Sequence, residues 1–235
     1  MGADLHGLLA AAECVIFDFD GPVCALFAGY PASGIAESLV DLLEQRGAPR
    51  LLPEQTRHSR DPLEILKVLA EVAPASPLVR NMEEWLTVEE LKAAVSATPT
   101  LGAASLIREL RGRDRKLAVA SNNSPRALKT YLARHDLLAY FEPHIHGRTF
   151  DPALLKPHPD SICRALKSTG TEPDRTLMIG DTPADVIAAG QAGVPFLGYA
   201  RNRRKEDLLL RSGASDVVGA ISEVLAALRA VTGGD

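Results

Sequence analysis

Cysteine is scarce in this sequence, and its scarcity excludes two kinds of stabilisation. The 235 residues include three cysteines, Cys14, Cys24 and Cys163, with no CxxC pair among them. An odd number without metal-ligand spacing argues against a disulfide framework and against a structural zinc site. Unpaired thiols suit a reducing compartment, so we predict a cytoplasmic location.

Basic residues are not in excess, and long apolar runs are absent. Lysine and arginine total 26 against 30 aspartates and glutamates, which gives a formal net charge of −4. Nucleic-acid binding needs a basic surface, so no nucleic-acid partner is expected. No apolar run approaches the roughly 20 residues of a membrane-spanning helix, so no membrane partner is expected. Residues 1–13 also lack the basic start and apolar stretch of a secretory signal.

Short apolar segments are plentiful, and they predict a parallel sheet. Each is continuous rather than alternating, which is typical of strands buried on both faces. Five such segments occur, at 14–20, 116–121, 176–181, 194–199 and 216–218. Helical patterns separate or follow them, at 102–111, 125–135, 159–168, 184–192 and 220–231. This alternation predicts a doubly wound, Rossmann-like α/β fold.

One long interval breaks the alternation of strands and helices. Residues 24–97 contain helical patterns at 35–46, 62–73 and 88–96, a less certain one at 77–85, and no strand candidate. An all-helical insert directly after the first strand is expected to cover the carboxyl end of that strand. We therefore predict an α/β core domain, residues 1–23 and 98–235, interrupted by a helical cap domain, residues 24–97.

Four strand ends carry polar residues, and the first of them is Asp18-Phe19-Asp20-Gly21. Side chains two apart on a strand point to the same side, so both carboxylates face one spot. Their repulsion is relieved by a cation or by a proton, and Mg²⁺ is a hard cation that carboxylate oxygens suit. Taken alone, the segment is equally compatible with a carboxylate pair that caps a turn.

The second and third polar segments suit an anion. Ser121 and Asn122 precede a helix, where a hydroxyl and free amides form an anion site; a plain helix cap has the same pattern. Lys156 lies in a proline-stiffened loop before the next helix, well placed to hold a phosphate as a point charge. A solvated lysine is the alternative for that position.

The fourth polar segment spans residues 180–185 and adds two carboxylates. Asp181 follows an apolar strand, where it would complete a metal site with the first carboxylate. Asp185 lies in the first turn of the following helix and would orient the ligands. The alternative is a helix cap at Thr182 with a favourable acidic residue in the first turn.

The order and spacing of the four segments resemble those of the haloacid dehalogenase-like (HAD) hydrolase superfamily. The similarity is to its phosphatase branch with a helical cap, as in phosphoglycolate phosphatases, and it spans the whole chain. It implies that Asp18 is the nucleophile that becomes an aspartyl-phosphate. Asp20 would protonate the leaving oxygen and then activate water. Branches that cleave halides or phosphonates look different at this position, so Asp20 favours phosphate-ester chemistry.

The same resemblance implies a cofactor and a phosphate site. Mg²⁺ would be held by Asp18, the backbone carbonyl of Asp20 and Asp181, with Asp185 behind these ligands. This cation would reduce the repulsion between a carboxylate and a phosphate dianion.

The phosphoryl oxygens would be bound by four residues of the first three segments. Ser121 and Lys156 would use their side chains, and Asn122 and Gly21 their backbone amides. The predicted function is therefore Mg²⁺-dependent hydrolysis of a small phosphorylated metabolite. A phosphomutase with the same nucleophile and a non-catalytic binding protein on the same scaffold are the alternatives.

Two positions depart from the family pattern, and three segments stay open. Pro22 stands where these phosphatases often have threonine, and Ala25 stands where many capped members have an acidic residue. The departure at Ala25 weakens any transfer of substrate identity.

In the cap, residues 57–60 either meet an anionic leaving group or form a solvated linker. Residues 201–205 are predicted as a solvated basic loop, and residues 144–146 show strand-like alternation without a metal partner. The substrate, its contacts in the cap and the oligomeric state are not predicted.

Overall fold

The computed structural model describes residues 5–230. Its strands are β1 (Cys14–Phe17), β2 (Cys24–Ala25), β3 (Thr98–Pro99), β4 (Lys116–Ala120), β5 (Ile145–His146), β6 (Thr176–Gly180), β7 (Phe196–Tyr199) and β8 (Asp216–Val218). Its α-helices are α1 (Leu5–Ala11), α2 (Ala32–Gln45), α3 (Glu54–Arg57), α4 (Pro62–Val72), α5 (Pro77–Ser96), α6 (Ala103–Gly112), α7 (Pro125–Arg134), α8 (Leu138–Phe141), α9 (Asp160–Thr169), α10 (Pro183–Gln191), α11 (Arg203–Arg211) and α12 (Ile221–Ala230). Residues 1–4 and 231–235 of the predicted core lie outside the described residues, and so does the last residue of the helix predicted at 220–231.

A six-stranded parallel sheet forms the centre of the fold, in the order β5-β4-β1-β6-β7-β8. The chain runs outward from β1 in both directions, so the strand order reverses there. Phe17, the last residue of β1, pairs with Val119 of β4 on one side and with Ile179 of β6 on the other. The three central strands therefore end together, and the residues that follow them share one edge of the sheet.

Helices cover both faces of this sheet, as the continuous apolar strands predict. Val15 and Phe17 pack into a layer with α1, α6, α7 and α12, whereas Cys14 and Ile16 pack against α9 and α10. All four β1 side chains are fully buried. Burying apolar side chains of this size stabilises the fold by about 1.5–3 kcal/mol each. The predicted doubly wound α/β fold with a helical insert is confirmed.

The helical insert has an apolar core of its own. It is formed by α2, α4, the first half of α5 and the segment between α2 and α3. The fully buried members of this core are Ile35, Ala36, Leu39, Leu43, Leu52, Ile65, Leu66, Leu69, Val79, Met82 and Leu86. The helix α4 begins as its sequence predicts, because the Asp61 carboxylate accepts a hydrogen bond from the Leu63 N–H and Pro62 occupies the first helical position.

One continuous helix replaces the two pieces predicted at 77–85 and 88–96. The helix α5 contributes Val79, Met82 and Leu86 to the cap core, then Ala93 and Ala94 to the main core. Its buried face thus changes partner half-way along, and buried glutamates interrupt the apolar pattern. The sequence pattern predicted two helices because this interruption of the apolar periodicity resembles a helix boundary.

A short antiparallel ribbon joins the insert to the sheet domain. Cys24 pairs with Pro99 and Ala25 with Thr98, so β2 and β3 meet where the chain enters and leaves the insert. The expectation that residues 24–97 contain no strand is therefore wrong at its first two residues. Two-residue strands carry too little periodicity to be detected in a sequence.

Four α-helices were not predicted. They are α1, α3, α8 and α11, and the last of these begins inside the segment predicted as a solvated loop at 201–205. The Asn202 side chain caps α11 by accepting a hydrogen bond from the Lys205 N–H. Among residues 5–230, no helix is long and apolar enough to cross a membrane.

Candidate active site

The four predicted polar segments meet at the carboxyl edge of the sheet, beneath the helical insert. A cleft of about 630 Å³ lies between the two parts. From the sheet edge it is lined by Asp18, Asp20, Ser121, Asn122, Asn123, Leu155, Lys156, Thr182, Pro183 and Ala184. From the insert and its first linker it is lined by Phe27, Ala32, Arg60, Asp61, Leu63, Glu64 and Lys67. The predicted residues Gly21, Asp181 and Asp185 are outside this lining.

Lys156 is the centre of the site. Its Nζ donates hydrogen bonds to Asp18 Oδ1 at 2.8 Å, to Asp185 Oδ1 at 2.5 Å and to the Ala120 carbonyl oxygen at 2.9 Å. Burial alone would lower the pKa of Lys156, but the facing carboxylates of Asp18 and Asp185 raise it above its ordinary value. The alternative of a solvated lysine is therefore excluded, because this ammonium is 6% exposed and ion-paired.

Asp18 is buried, with one oxygen held and the other available. Burial, together with the nearby Asp185, raises the pKa of Asp18 to about 8, and Lys156 opposes this shift. Lys156 binds Oδ1. No hydrogen bond from the described residues reaches Oδ2. The carboxylate is therefore fixed in orientation while keeping an oxygen that can act on a ligand.

Asp20 is half-buried and lies beside the first linker of the insert. Its Oδ1 accepts a hydrogen bond from the Leu26 N–H at 2.9 Å. Burial raises the pKa of Asp20, and the Leu26 hydrogen bond opposes this shift. A raised pKa favours the protonated form of the carboxyl group, which is the form that a general acid needs.

Asp181 has a carboxylate oxygen without a partner. Oδ1 is buried and receives no hydrogen bond from the described residues, whereas Oδ2 contacts Lys205 Nζ. Burial raises the pKa of Asp181 to about 6, and Lys205 opposes this shift. Oxygens of Asp18, Asp181 and Asp185 all lie within 4.8 Å of one another.

Asp185 is occupied at both oxygens. Oδ1 binds Lys156, and Oδ2 accepts hydrogen bonds from the Asp181 N–H, the Thr182 N–H and the Thr182 hydroxyl. Thr182 and Asp185 form a reciprocal cap at the start of α10. The helix cap is therefore present, and its Asp185 also binds Lys156. The metal site at Asp181 stays a prediction.

Gly21 allows the first and fourth segments to approach. Its φ is +120°, and a Cβ at this position would lie 2.4 Å from Asp181 Cγ. A side chain would therefore displace Asp181. The Gly21 N–H donates to the Cys24 carbonyl oxygen at 2.7 Å, so the turn itself uses the amide that was predicted to bind phosphate.

Ser121 and Asn122 lie in the loop between β4 and α7. Ser121 is 1% exposed, and its hydroxyl exchanges hydrogen bonds with Asn123. The Asn122 side chain accepts from the Lys156 N–H at 2.7 Å and donates to the Lys156 carbonyl oxygen at 3.2 Å. This clamp on the Lys156 loop was missed, because the two residues are 34 positions apart and no local pattern joins them.

Comparisons with known proteins agree with this geometry. A family model described as haloacid dehalogenase-like hydrolase matches residues 12–193. The chain belongs to this family. The match confirms the resemblance drawn from the four motifs, including the assignment to a class of hydrolases.

Individual relatives are more distant. The chain is 34% identical over 117 residues to a phosphoglycolate phosphatase of Aquifex aeolicus (strain VF5). The aligned segment covers 48% of this chain and 54% of that protein. It therefore spans about half the length of that relative. It is 28% identical over 223 residues to "Probable phosphatase IndB" of Dickeya dadantii (strain 3937), covering 92% and 94%.

A solved structure supports the fold of this HAD family member. A protein described as a predicted phosphatase from Clostridium acetobutylicum superposes with a TM-score of 0.67 at 21% identity. The match covers 92% of this chain and 98% of that chain. At this identity the likeness shows the fold alone.

Some residues of the basic segments of this HAD protein bond to neighbouring backbone, and others contact the site or line the cleft. In the cap, Arg57 donates to the Leu52 carbonyl oxygen, whereas Arg60 lines the cleft. Lys205 reaches Asp181, so the expectation of a solvated loop at 201–205 is wrong for this residue. His144 and His146 both contact Ser168 at 3.1 and 2.7 Å and take no part in the site.

Proposed function

We propose that the protein is a Mg²⁺-dependent phosphatase that hydrolyses a small phosphorylated metabolite through an aspartyl-phosphate on Asp18. One observation carries the proposal. A buried ammonium, Lys156, holds one oxygen of Asp18 at 2.8 Å, and Asp18 itself lines a cleft large enough for a metabolite. Charge neutralisation around a transferring phosphoryl group is the main demand of this chemistry.

The residues of the site account for both half-reactions. Asp18 Oδ2 attacks phosphorus, the ester P–O bond breaks, and Asp20 gives its proton to the leaving oxygen. Asp20 then takes a proton from water, whose oxygen attacks the phosphoryl group. The bond between phosphorus and Asp18 breaks, which releases inorganic phosphate and restores the carboxylate. Lys156 and the Ser121 hydroxyl bind the phosphoryl oxygens during both steps.

The acidic residues of the site fit a magnesium ion. Asp181 Oδ1 is a buried acceptor without a hydrogen bond, and an oxygen of Asp18 lies within 4.8 Å of an Asp181 oxygen. Hard oxygen donors of this kind are those that Mg²⁺ prefers. Asp18, Asp181 and the backbone carbonyl of Asp20 would hold the ion, with Asp185 committed to Lys156. When bound, the ion would neutralise charge on the phosphoryl oxygens.

The cap side of the cleft favours a substrate with a second anionic group. Arg60 and Lys67 both line the cleft, and neither forms an ion pair within residues 5–230. The neighbouring carboxylates are engaged locally: Asp61 caps α4, and Glu64 accepts a hydrogen bond from Ser59 at 2.5 Å. Arg60 and Lys67 are therefore the cap cations that would contact a negatively charged leaving group, while Asp61 and Glu64 keep their own charges. The cytoplasmic location and the absence of a nucleic-acid partner stay predictions.

Replacing the nucleophile tests the mechanism. Asp18→Asn removes the attacking carboxylate, so phosphate release from an aryl phosphate and from a panel of phosphorylated metabolites is expected to fall to background. Asp41→Asn, at an exposed position of α2, is the matched control and is expected to keep wild-type turnover. Undiminished release by Asp18→Asn would contradict the mechanism, and an isomerised sugar phosphate as product would favour the phosphomutase.

Removing the metal tests the cofactor separately. Chelation is expected to abolish phosphate release, and added Mg²⁺ is expected to restore it. Asp181→Asn is expected to raise the Mg²⁺ concentration needed for half-maximal activity, because it removes one of the proposed ligands. Full activity in excess chelator would show that the site works without a divalent ion.

A further inference from the structure

A second buried charged cluster lies at the contact between the cap helix α5 and the sheet domain. Arg148 lies two residues after the end of β5, and its side chain is fully buried. Glu83 and Glu90 come from α5, with side chains 7% and 1% exposed. None of the three belongs to the lining of the cleft, so the proposed reaction does not use them directly.

The guanidinium of Arg148 donates most of its hydrogen bonds to α5 and one, at 3.4 Å, to the Asn122 carbonyl oxygen. Nη1 donates to Glu90 Oε1 at 2.6 Å and to Oε2 at 2.7 Å, while Nε donates to Glu83 Oε1 at 3.0 Å. Nη2 donates to the Thr87 hydroxyl at 3.1 Å. A planar fork with fixed donor directions sets the orientation of α5 more sharply than a single ammonium would.

The same cluster holds the loop that carries Ser121. Glu90 accepts hydrogen bonds from the Ser124 N–H at 2.9 Å and from the Asn123 side chain at 3.1 Å. The Arg148 N–H donates to the Asn123 carbonyl oxygen at 3.0 Å. A Cβ at Gly147 would lie 2.4 Å from that carbonyl oxygen, so only glycine permits this approach.

The contacts continue from this loop into the proposed site. Asn123 bonds the Ser121 hydroxyl, and the Asn122 side chain clamps the backbone of Lys156. Lys156 in turn holds Asp18. An unbroken series of hydrogen bonds therefore joins the cap helix to the nucleophile.

We propose that Arg148 and Glu90 are positioning residues, which hold the Ser121–Asn122 loop in register with the cap helix and so set the geometry of phosphoryl binding. The inference rests on the proposed phosphatase function. Burying three charges is weak as a source of stability, since apolar residues fill such space at less cost. A fixed arrangement of loop and helix is what this cluster supplies instead.

Glu90→Gln is the sharpest test. Glu90 offers acceptors at both oxygens, and each accepts from Arg148 and from the loop. A glutamine amide has one acceptor atom, its oxygen. Its NH₂ group would therefore face N–H donors of Arg148 and of the loop, and donors cannot bond to each other. We expect kcat/KM for phosphate release to fall about 10- to 100-fold, as for partners that orient site residues. Inhibition by inorganic phosphate should weaken in parallel, and amide exchange at residues 121–124 should accelerate.

Glu84→Gln is the matched control on the same helix. Glu84 pairs with Arg126 of α7 at 2.5 Å, which also ties α5 to the sheet domain, but both side chains are exposed and neither touches the loop. The kcat/KM of this variant should stay within about twofold of wild type, as exposed ion pairs contribute little.

Leu69→Ala, in the cap core, provides a protein destabilised without change at the loop. If it matches Glu90→Gln in phosphate inhibition and in exchange at 121–124, the cluster is merely structural and the proposal fails.

The two proposals fail in different ways. An inactive wild type, or an Asp18→Asn variant with full activity, would overturn the phosphatase function. Glu90→Gln with wild-type kcat/KM, phosphate inhibition and loop exchange would overturn the positioning role. In a protein without turnover, calorimetric affinity for inorganic phosphate and amide exchange at 121–124 decide the role of Arg148 and Glu90 by themselves.

Discussion

Lys156 and Arg148 are both buried cations held between two carboxylates, yet the surroundings of the two clusters differ. Around Arg148, hydrogen bonds engage the carboxylates of Glu83 and Glu90, and both oxygens of Glu90 accept from two groups each. Around Lys156, the neighbouring Asp181 keeps a buried oxygen without a hydrogen bond. Both oxygens of Glu90 are therefore fully used within the described residues, whereas Asp181 has acceptor capacity left.

This difference separates positioning from chemistry. A carboxylate engaged at both oxygens, such as Glu90, has one arrangement, and this suits the junction of a helix and a loop. A cluster with spare acceptors and a carboxyl pKa raised to about 8 at Asp18 is costly to maintain unless a ligand completes it. The two cations suit these two roles. The planar guanidinium of arginine fixes the directions of its donors, whereas the ammonium of lysine is a point charge on a flexible chain.

Lys156→Met should produce the largest change and sharpen the comparison. Loss of the ammonium removes a donor to the phosphoryl group and leaves Asp18 and Asp185 as repelling neighbours. We expect kcat to fall about 10²- to 10³-fold, as when one preorganised donor is removed. Steady-state kinetics on an aryl phosphate, at a temperature where unfolding is excluded by circular dichroism, is the measurement. A kcat within twofold of wild type would show that the reaction does not need Lys156, and it would remove the contrast between the two clusters.

Arg148→Met should lower stability in addition to disturbing the Ser121–Asn122 loop. It leaves Glu83 and Glu90 buried without their cation, so the free energy of unfolding should fall by about 3–5 kcal/mol. Urea denaturation measures this loss. Arg148→Lys keeps the charge but not the fork and should lose less. If Arg148→Met reduced kcat as strongly as Lys156→Met, the division between the two clusters would be broken.

Arg126→Gln should produce the smallest change. Its ion pair with Glu84 joins the same two parts of the molecule but is exposed on both sides. Exposed pairs contribute about 0–1 kcal/mol, so the urea midpoint should move little and kcat/KM should not change. A loss comparable to that of Arg148→Met would show that burial is not what distinguishes the cluster.

Much of the fold follows from local patterns. The apolar strands and their polar ends were predicted within a few residues, because burial on both faces leaves a continuous signal. The predictions failed for segments that are short or that pack against two cores. These segments are the strand Cys24–Ala25, the middle of α5 and the start of α11. Periodicity needs several residues facing one environment, and these segments have too few.

The candidate site divides in the same way. Asp18, Lys156 and Asp181 stand out because charged residues directly follow buried strands or precede helices. Arg148 also follows a strand, but that strand has two residues, and its alternation at 144–146 drew attention only to the histidines. Lys205 was masked by its basic neighbours, which suggest solvent exposure.

By itself, the sequence determined the class of fold and the chemical types gathered at one edge, since strand burial and strand-end polarity are local properties. The tertiary structure alone decided which oxygen each cation holds. It also decided that a cap helix and a loop after β4 share a buried arginine. Pairings across 34, 58 or 138 positions depend on how the elements pack, and no local pattern encodes that distance.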